Sequence, residues 1–386
     1  MNIWPAAGFL LLACMSLAVV LPGTSSAGVV IHVPGDKPTI QAGIDAAVNG
    51  DSVLVAPGVY PELIDFHGKT ITLASEQGAR VTTIDGQLLG TVITMQSGEG
   101  PATVVQGFTI TRGSATFGAG AYVQGTAPTF RQNIFLDNQQ GTGGFGAAIG
   151  GFSGSPVIES NEFAGNTCDS QFPAGVMSFV NSSSPRIFNN LIHDNPCRAI
   201  NMVLPIDAFP IVFNNTIVRN RTGISINHQV SNSNHAYRNN LIASNDIGLE
   251  VASQSVPFDA IWTNNLVFGN TANFSGTEDS TGTNGNVSAD PRFVDSAHGN
   301  FHLGPGSAAI DAGTTVGLAV PPTDFDGHPR IQDGNGDGLS QIDIGALEAA
   351  PSAAAPVPID SRLWLLLAAI AILATARRRV IALARY

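Results

Sequence analysis

The chain has 386 residues, of which 44% are hydrophobic and only 12% charged, with 43 glycines and a formal net charge of −12. Its lysines are Lys37 and Lys69, and no long basic run occurs before the C-terminal tail, which excludes a surface built for nucleic acid or anionic lipid. Low charge with abundant Gly, Asn, Val, Ile and Phe fits an all-β solenoid.

Ala6 to Leu21 is an apolar run broken only by Gly8 and Ser16, and the small residues Ser25-Ser26-Ala27 follow it. That is the layout of a secretory signal, so residues 1–27 are expected to be removed by cleavage between Ala27 and Gly28, making the protein an exported one. From Thr39 to Gly50, the residues Ile40, Ile44, Ala47 and Val48 share one helical face. Thr39 can act as N-cap and Gly50 stands where a helix stops. The first strands follow in Asp51 to Tyr60. An open solenoid end exposes apolar side chains and unpaired strand edges, so the helix at 39–49 is expected to plug it. Lys69–Leu73 and Thr91–Met95 alternate as strands do, and Gly107–Thr111 stands 26 residues before Asn133 in the same place of the register.

A short phrase then returns six times, most clearly as Pro210 to Asn220. Each copy carries two asparagines five residues apart: Asn133/Asn138, Asn161/Asn166, Asn190/Asn195, Asn215/Asn220, Asn240/Asn245 and Asn265/Asn270. The first asparagines recur after 28, 29, 25, 25 and 25 residues, which means a stacked repeat rather than one compact core. Three residues before each first Asn stands Phe130, Ile158, Ile187, Val212, Tyr237 or Trp262, and two residues after it Phe135, Phe163, Ile192, Ile217, Ile242 or Val267. A period near 25 is too short for a propeller blade and has no room for an amphipathic helix. It suits a coil of three short strands, stacked parallel at about 4.8 Å, with asparagines at the bends because they tolerate left-handed backbone and bond along a stack. The phrase resembles the right-handed parallel β-helix repeats of the pectate-lyase-like superfamily, and the opening at 38–62 resembles the standard start of such proteins. The expected fold is an all-β right-handed parallel β-helix over residues 28–285, with an N-terminal capping helix and a C-terminal cap.

Cys168 and Cys197 each lie seven residues after the first Asn of their coil. They should therefore stack in neighbouring coils about 5 Å apart, within reach of a disulfide, which export permits. Four residues past each first Asn the ladder reads Asp137, Gly165, Asp194, Arg219, Ser244 and Gly269, making Asp194 and Arg219 neighbours, with His193 beside them. These three are the candidate catalytic residues, because a polysaccharide lyase sets an Arg or Lys base beside a neutralised carboxylate; the alternative is a surface ion pair of little energetic weight. Hydrolysis instead needs two carboxyl groups held close together, and neither the Asp strings of galacturonan hydrolases nor the Arg-rich strings of pectate lyases occur. Phe145, Phe152, Phe172 and Phe209 fall in loops between coil strands, where they either stack on sugar rings or pack against the coil.

After about residue 285 the phrase stops. Asp290 to Asp295, Gly299 to Leu303, Pro305 to Ser307, Ala309 to Gly313, Asp324 to Arg330 and Asp343 to Glu348 together resemble the choice-of-anchor Q region of bacterial surface β-helix proteins, which implies a C-terminal cap at 286–348. Within it Asp333-Gly334-Asn335-Gly336-Asp337-Gly338 has the alternating oxygens and sixth-place glycine of a calcium loop, with Asp343 as a further ligand, so Ca²⁺ at Asp333, Asn335, Asp337 and Asp343 is a candidate cofactor. A Pro/Ala linker with a sorting motif spans 349–361. An apolar run from Leu363 to Ala376 and Arg377-Arg378-Arg379 make residues 362–386 a brief membrane segment with its arginines on the cytoplasmic side. This layout resembles the IPTL-CTERM and PEP-CTERM sorting signals and implies a processing protease as partner and delivery to the cell surface. Three functions fit: a surface-displayed, polysaccharide-associated scaffold without a nameable catalytic site, a polysaccharide lyase or glycoside hydrolase, and a structural or adhesive surface protein. Nucleic acid is not an expected partner.

Overall fold

The computed structural model describes residues 28–169, 174–204, 208–228, 235–252 and 260–351. The expected signal up to Ala27, nearly all of the linker, the apolar run from Leu363 and Phe172 lie outside them. The described chain winds as a right-handed parallel β-helix of three sheets. The first has ten strands, from Val30–Val33 to Ile261–Thr263; the second has nine, from Gly58–Tyr60 to Leu266–Phe268; the third has nine, from Ile64–Asp65 to Ala272–Ser275. One repeat makes one coil. Phe130, Ile158, Ile187, Val212, Tyr237 and Trp262 are register partners along the first sheet, and Phe135, Phe163, Ile192, Ile217, Ile242 and Val267 along the second. All twelve are buried, each large side chain contributing roughly 1.5–3 kcal/mol.

The repeated asparagines form two internal ladders between the sheets. From Asn161 onward each side-chain oxygen accepts from the backbone N–H and the side-chain amide of the asparagine one coil before, as Asn215 Oδ1 does from Asn190 (3.1 and 2.9 Å), whereas Asn133 and Asn138 accept from Phe108 N and Gly113 N. Each Nδ2 also donates to a carbonyl of the previous coil, as Asn215 does to Ile187 (2.9 Å). The left-handed residues at the bends, however, are the ones just before these asparagines. They are Gln132, Ser160, Asn189, Asn214, Asn239 and Asn264 at one corner, and Asp137, Gly165, Asp194, Arg219, Ser244 and Gly269 at the other. The stacked asparagines satisfy the buried amides that the bend turns inward, and the preceding residue carries the strained torsion.

The N-terminal plug is the helix Ile40–Ala46, capped by Thr39, whose hydroxyl accepts from Ala42 N. Ile40 and Ile44 seat on the first coil and are fully buried. Helical backbone ends three residues before the expected boundary, because the Asp51 carboxylate takes up the amides of Val29 and Val48 and leads the chain into the strand Ser52–Val55. Cys168 and Cys197 form a disulfide between neighbouring coils, with Cα atoms 5.7 Å apart.

The C-terminal region runs along a flank of the solenoid. Outward residues of the second sheet are apolar here, and they need cover: Leu191 and Val218 pack under Phe301, Ala346 and Leu347, and Leu241, Ala243 and Leu266 under Ala309 and Ile344. The left-handed asparagines at the adjoining corner grip it. Asn189 Nδ2 donates to Thr323 O (2.9 Å), Asn214 Nδ2 to Asp343 O and Gly345 O (3.0 and 3.1 Å), Asn239 Nδ2 to Thr314 O (2.8 Å) and Asn264 Nδ2 to Ala312 O (3.1 Å). Gly345, at φ 114°, comes so close to Thr216 and Leu241 that a Cβ would lie 2.8 Å from the threonine hydroxyl. Beneath the cover Arg330 is 1% exposed. Its guanidinium donates to Glu348 Oε1 (2.9 Å), to Gly345 O and Ala346 O, and to Asn189 Oδ1. Burial, with Asp343 close by, pushes the Glu348 carboxyl up to about 8, and burial pushes Asp343 up to about 6.

Candidate functional site

Asp194 and Arg219 meet as their register requires. Each holds the left-handed bend before its stacked asparagine. Arg219 donates from Nε and Nη2 to the two oxygens of Asp194 (2.6 Å each), and from Nη1 to Ser296 O in the C-terminal region. Its guanidinium lies 5.0 Å from the Phe301 ring centroid. His193 completes a chain, with Nδ1 2.8 Å from Asp194 Oδ2 and Nε2 3.3 Å from Glu162 Oε1. The hydrogen bond from Arg219 holds Asp194 below the usual carboxylate range, and the one from His193 does the same for Glu162. Burial opposes charge on His193, but Glu162 and Asp194 outweigh it and raise its pKa. The Asp194 hydrogen bond raises Arg219 still further. A lyase base works best with a pKa near the operating pH, and Arg219 is moved the other way. The constellation is arranged as a clip that fastens the C-terminal region to the solenoid.

Beside the clip the flank and its cover part into a cleft of about 370 Å³, lined by Arg80, Glu162, His193, His302, Phe325 and Asp326 among others. It adjoins a second of about 540 Å³ over the earlier coils. In those coils the corner holds Gln132 and Ser160 in place of asparagine, and both line the second cleft.

The third sheet carries a different surface. Ser114–Phe117 and Gln139–Phe145 form a small parallel pair outside the three main sheets, with Phe117 opposite Phe145. Their rings are 4.8 Å apart, Phe117 lies 6.3 Å from Tyr122, and Phe145 lies 6.3 Å from Phe152. Tyr122 and Phe152 stand on third-sheet strands, in register with Gly150 and Gln124. The four rings thus make one ribbon, with Phe117 43% and Phe152 38% exposed. Tyr122 also donates to Gln124 Oε1 (3.1 Å). From Tyr122 and Gly150 the row continues along the same sheet through Ser178, Asn201, Ser225 and Glu250. There Arg198 Nε donates to Glu250 Oε2 (2.8 Å), and Ser225 Oγ bonds the same oxygen (2.8 Å). Sequence reasoning singled out Phe145 and Phe152 and missed Phe117, Tyr122, Arg198 and Glu250. Tyr122 stands one residue from Ala121, a register partner of Ile93, and tracing the third sheet as closely as the other two would have found it. Phe209 is exposed on a separate loop.

A Ca²⁺ site is not shown at the expected calcium loop, whose oxygens bond within the turn. Asp333 accepts from the amides of Gly336, Asp337 and Gly338, Asn335 from Asp337 N and Asp337 from Leu339 N, so these oxygens close their own turn. Asp343 is buried and accepts from Asp311 N and Ala349 N. Among the described residues the group of carboxylates and imidazoles that does converge is Asp324, Asp326 and His328.

The family model described as "Periplasmic copper-binding protein (NosD)" matches residues 44–289. No curated protein sequence matches the chain. Among solved structures, pectate lyase Pel9A is similar at 15% identity over 84% of this chain and 97% of its own, with a TM-score of 0.42. A point mutant of the PL6 family alginate lyase AlyGC is similar at 12% identity over 77% of this chain and 60% of its own, with a TM-score of 0.21. For copper the donor set decides. Cys168 and Cys197 are spent in the disulfide, and Met95, Met177 and Met202 are buried in the core, so among the described residues nothing offers the soft sulfur ligands of Cu(I). Imidazole and carboxylate donors, which suit Cu(II), meet inside the matched span at His193, Asp194 and Glu162, where Arg219 already engages the aspartate, and outside it at Asp324, Asp326 and His328.

Proposed function

Because the chain belongs to the NosD family of periplasmic proteins, we propose that it is an exported, non-catalytic β-helix scaffold that binds a sugar polymer along the third sheet. The observation that carries this reading is the ribbon Tyr122, Phe117, Phe145 and Phe152, two of whose rings are more than a third exposed. A contiguous exposed apolar patch marks an interaction site, and a ribbon of partly exposed ring faces is the chemistry on which sugar rings stack, whereas Ser178, Asn201 and Ser225 further along the row are buried. The charged residues nearest to a catalytic pattern, Asp194 and Arg219, are engaged with each other. The resemblance of the tail to a sorting signal supports delivery to the cell surface, with processing near the linker. Affinity electrophoresis and titration calorimetry against neutral and uronate-containing polysaccharides test the binding. Phe117→Ala and Phe145→Ala should each weaken it by about tenfold, the effect of losing roughly 1.4 kcal/mol of ring contact. Binding that ignores both substitutions, or release of unsaturated sugar ends by the exported protein, overturns the reading.

A further inference from the structure

We propose that the turn Asp324–His328, together with His302, forms a binding site for a single divalent transition-metal ion of the Zn²⁺ or Cu²⁺ kind. The site lies in the C-terminal region, outside the residues that match the family. One ligand atom each of Asp324, Asp326 and His328 lies within 4.8 Å of the others. The turn is tight: Asp324 Oδ1 accepts from Asp326 N (3.0 Å) and His328 N (2.8 Å), and Gly327 at φ 87° reverses the chain between them. The Asp324 carboxylate is also held from beneath, accepting from Glu348 N (2.9 Å).

His302 enters from a separate strand, Asn300–Leu303. Its Nε2 lies 2.7 Å from Asp326 Oδ2. Its Nδ1 donates to Asn300 Oδ1 at 2.7 Å. That second contact fixes the ring with Nε2 turned to Asp326, which is how metal-binding histidines are oriented by their outer partners. The nearby cation does not compete, because the Arg330 guanidinium is directed to Glu348, Asn189 and two carbonyls. The turn itself brings together one imidazole and two carboxylates, and His302, hydrogen-bonded to Asp326, is placed to add a second imidazole once an ion replaces that hydrogen bond. Zn²⁺ and Cu²⁺ accept such a set, whereas Ca²⁺ asks for six to eight oxygens and Mg²⁺ for an octahedron rich in water. Asp326, His302 and His328 are partly or largely open to solvent, so an ion can enter. By joining the turn to the strand Asn300–Leu303 it would stiffen the cover of the flank.

Titration calorimetry of the chelator-treated chain with CuSO₄ or ZnCl₂ is the test, with Cu²⁺ electron paramagnetic resonance to count coordinated nitrogens. One equivalent with two imidazole nitrogens is expected, together with a raised melting temperature. The double variant His302→Ala/His328→Ala should lose at least a hundredfold in affinity, and Asn300→Ala roughly 10- to 100-fold. The control His67→Ala/His298→Ala should keep full affinity. Circular dichroism and metal-free melting show that each variant folds. The proposal is overturned by absence of binding, by binding that survives loss of both histidines, by preference for Ca²⁺, or by several weak equivalents spread over exposed histidines.

Discussion

Asn214 and Asn215 are adjacent in the chain and face opposite ways. Asn215 points inward and bonds Asn190, Ile187 and Phe213 within the stack. Asn214, left-handed at φ 50°, points outward to Asp343 O and Gly345 O of the C-terminal region. Removing the inner side chain strands buried backbone groups, each costing about 1–3 kcal/mol, whereas the outer one gives up two ordinary hydrogen bonds worth about 0.5–1.5 kcal/mol each. Asn215→Ala should therefore lower global stability by at least about 3 kcal/mol. Asn214→Gly, which keeps the torsion, should leave the coils protected and speed amide exchange mainly in residues 309–349. Equal loss of protection throughout both regions in the two variants would refute this division.

His193 sets a pH dependence of known sign. Its folded pKa is raised above the ordinary 6.5 by Glu162 and Asp194 against the cost of burial. Its contribution is thus fully present below about pH 6.5 and is lost as pH rises through the raised value. Glu162 and Asp194 are lowered from 4.5 and 3.8, so their contributions hold above those values and fade as pH falls through the lowered ones. Melting curves across pH 4 to 9 should show His193→Gln narrowing its deficit towards the wild type on the alkaline side. Two curves that run parallel would mean the imidazole carries no charge there.

Arg330 is a buried cation whose partners do not follow it when it is removed. Arg330→Met should destabilise the fold by at least about 3 kcal/mol, because it strands the buried Asn189 Oδ1, Gly345 O and Ala346 O, each at about 1–3 kcal/mol. Because the Glu348 carboxyl is already pushed up to about 8, Glu348→Gln should be much milder near neutrality. Denaturant unfolding of both variants checks the order, and a Gln variant as unstable as the Met variant would contradict it.

The disulfide closes a loop across 29 residues between stacked coils. Reducing it, or replacing Cys168 and Cys197 by Ser, should cost about 3–4 kcal/mol. Mass spectrometry after alkylation without reduction should show both thiols protected in the exported protein.

The coil, its buried ladders, the Cys168–Cys197 pairing and the contact of Asp194 with Arg219 were all legible, because each follows from one period applied along one register. Asn189, Asn214, Asn239 and Asn264 were also in view as the first members of asparagine doublets, yet their partners lie in a segment that obeys no repeat. Phe117 could not be placed, since Ser114–Phe117 belongs to a strand pair outside the three sheets. At Asp333 spacing alone does not fix the role, because alternating oxygens serve an ion or cap their own turn, and here they accept from the turn's amides. His302 and Asp326 meet only through the fold of the C-terminal region.

The grip of the outer asparagines also orders events in time. Coil-to-coil bonds join residues 25 to 29 apart, so a chain made from its N-terminus can wind each turn on the last as it is produced. The bonds from Asn189 to Thr323 and Arg330 span 134 and 141 residues. Leu191, Val218 and Leu241 therefore stay bare until nearly the whole chain exists, and any product broken off before about residue 345 keeps a greasy, unsealed side that marks it as unfinished.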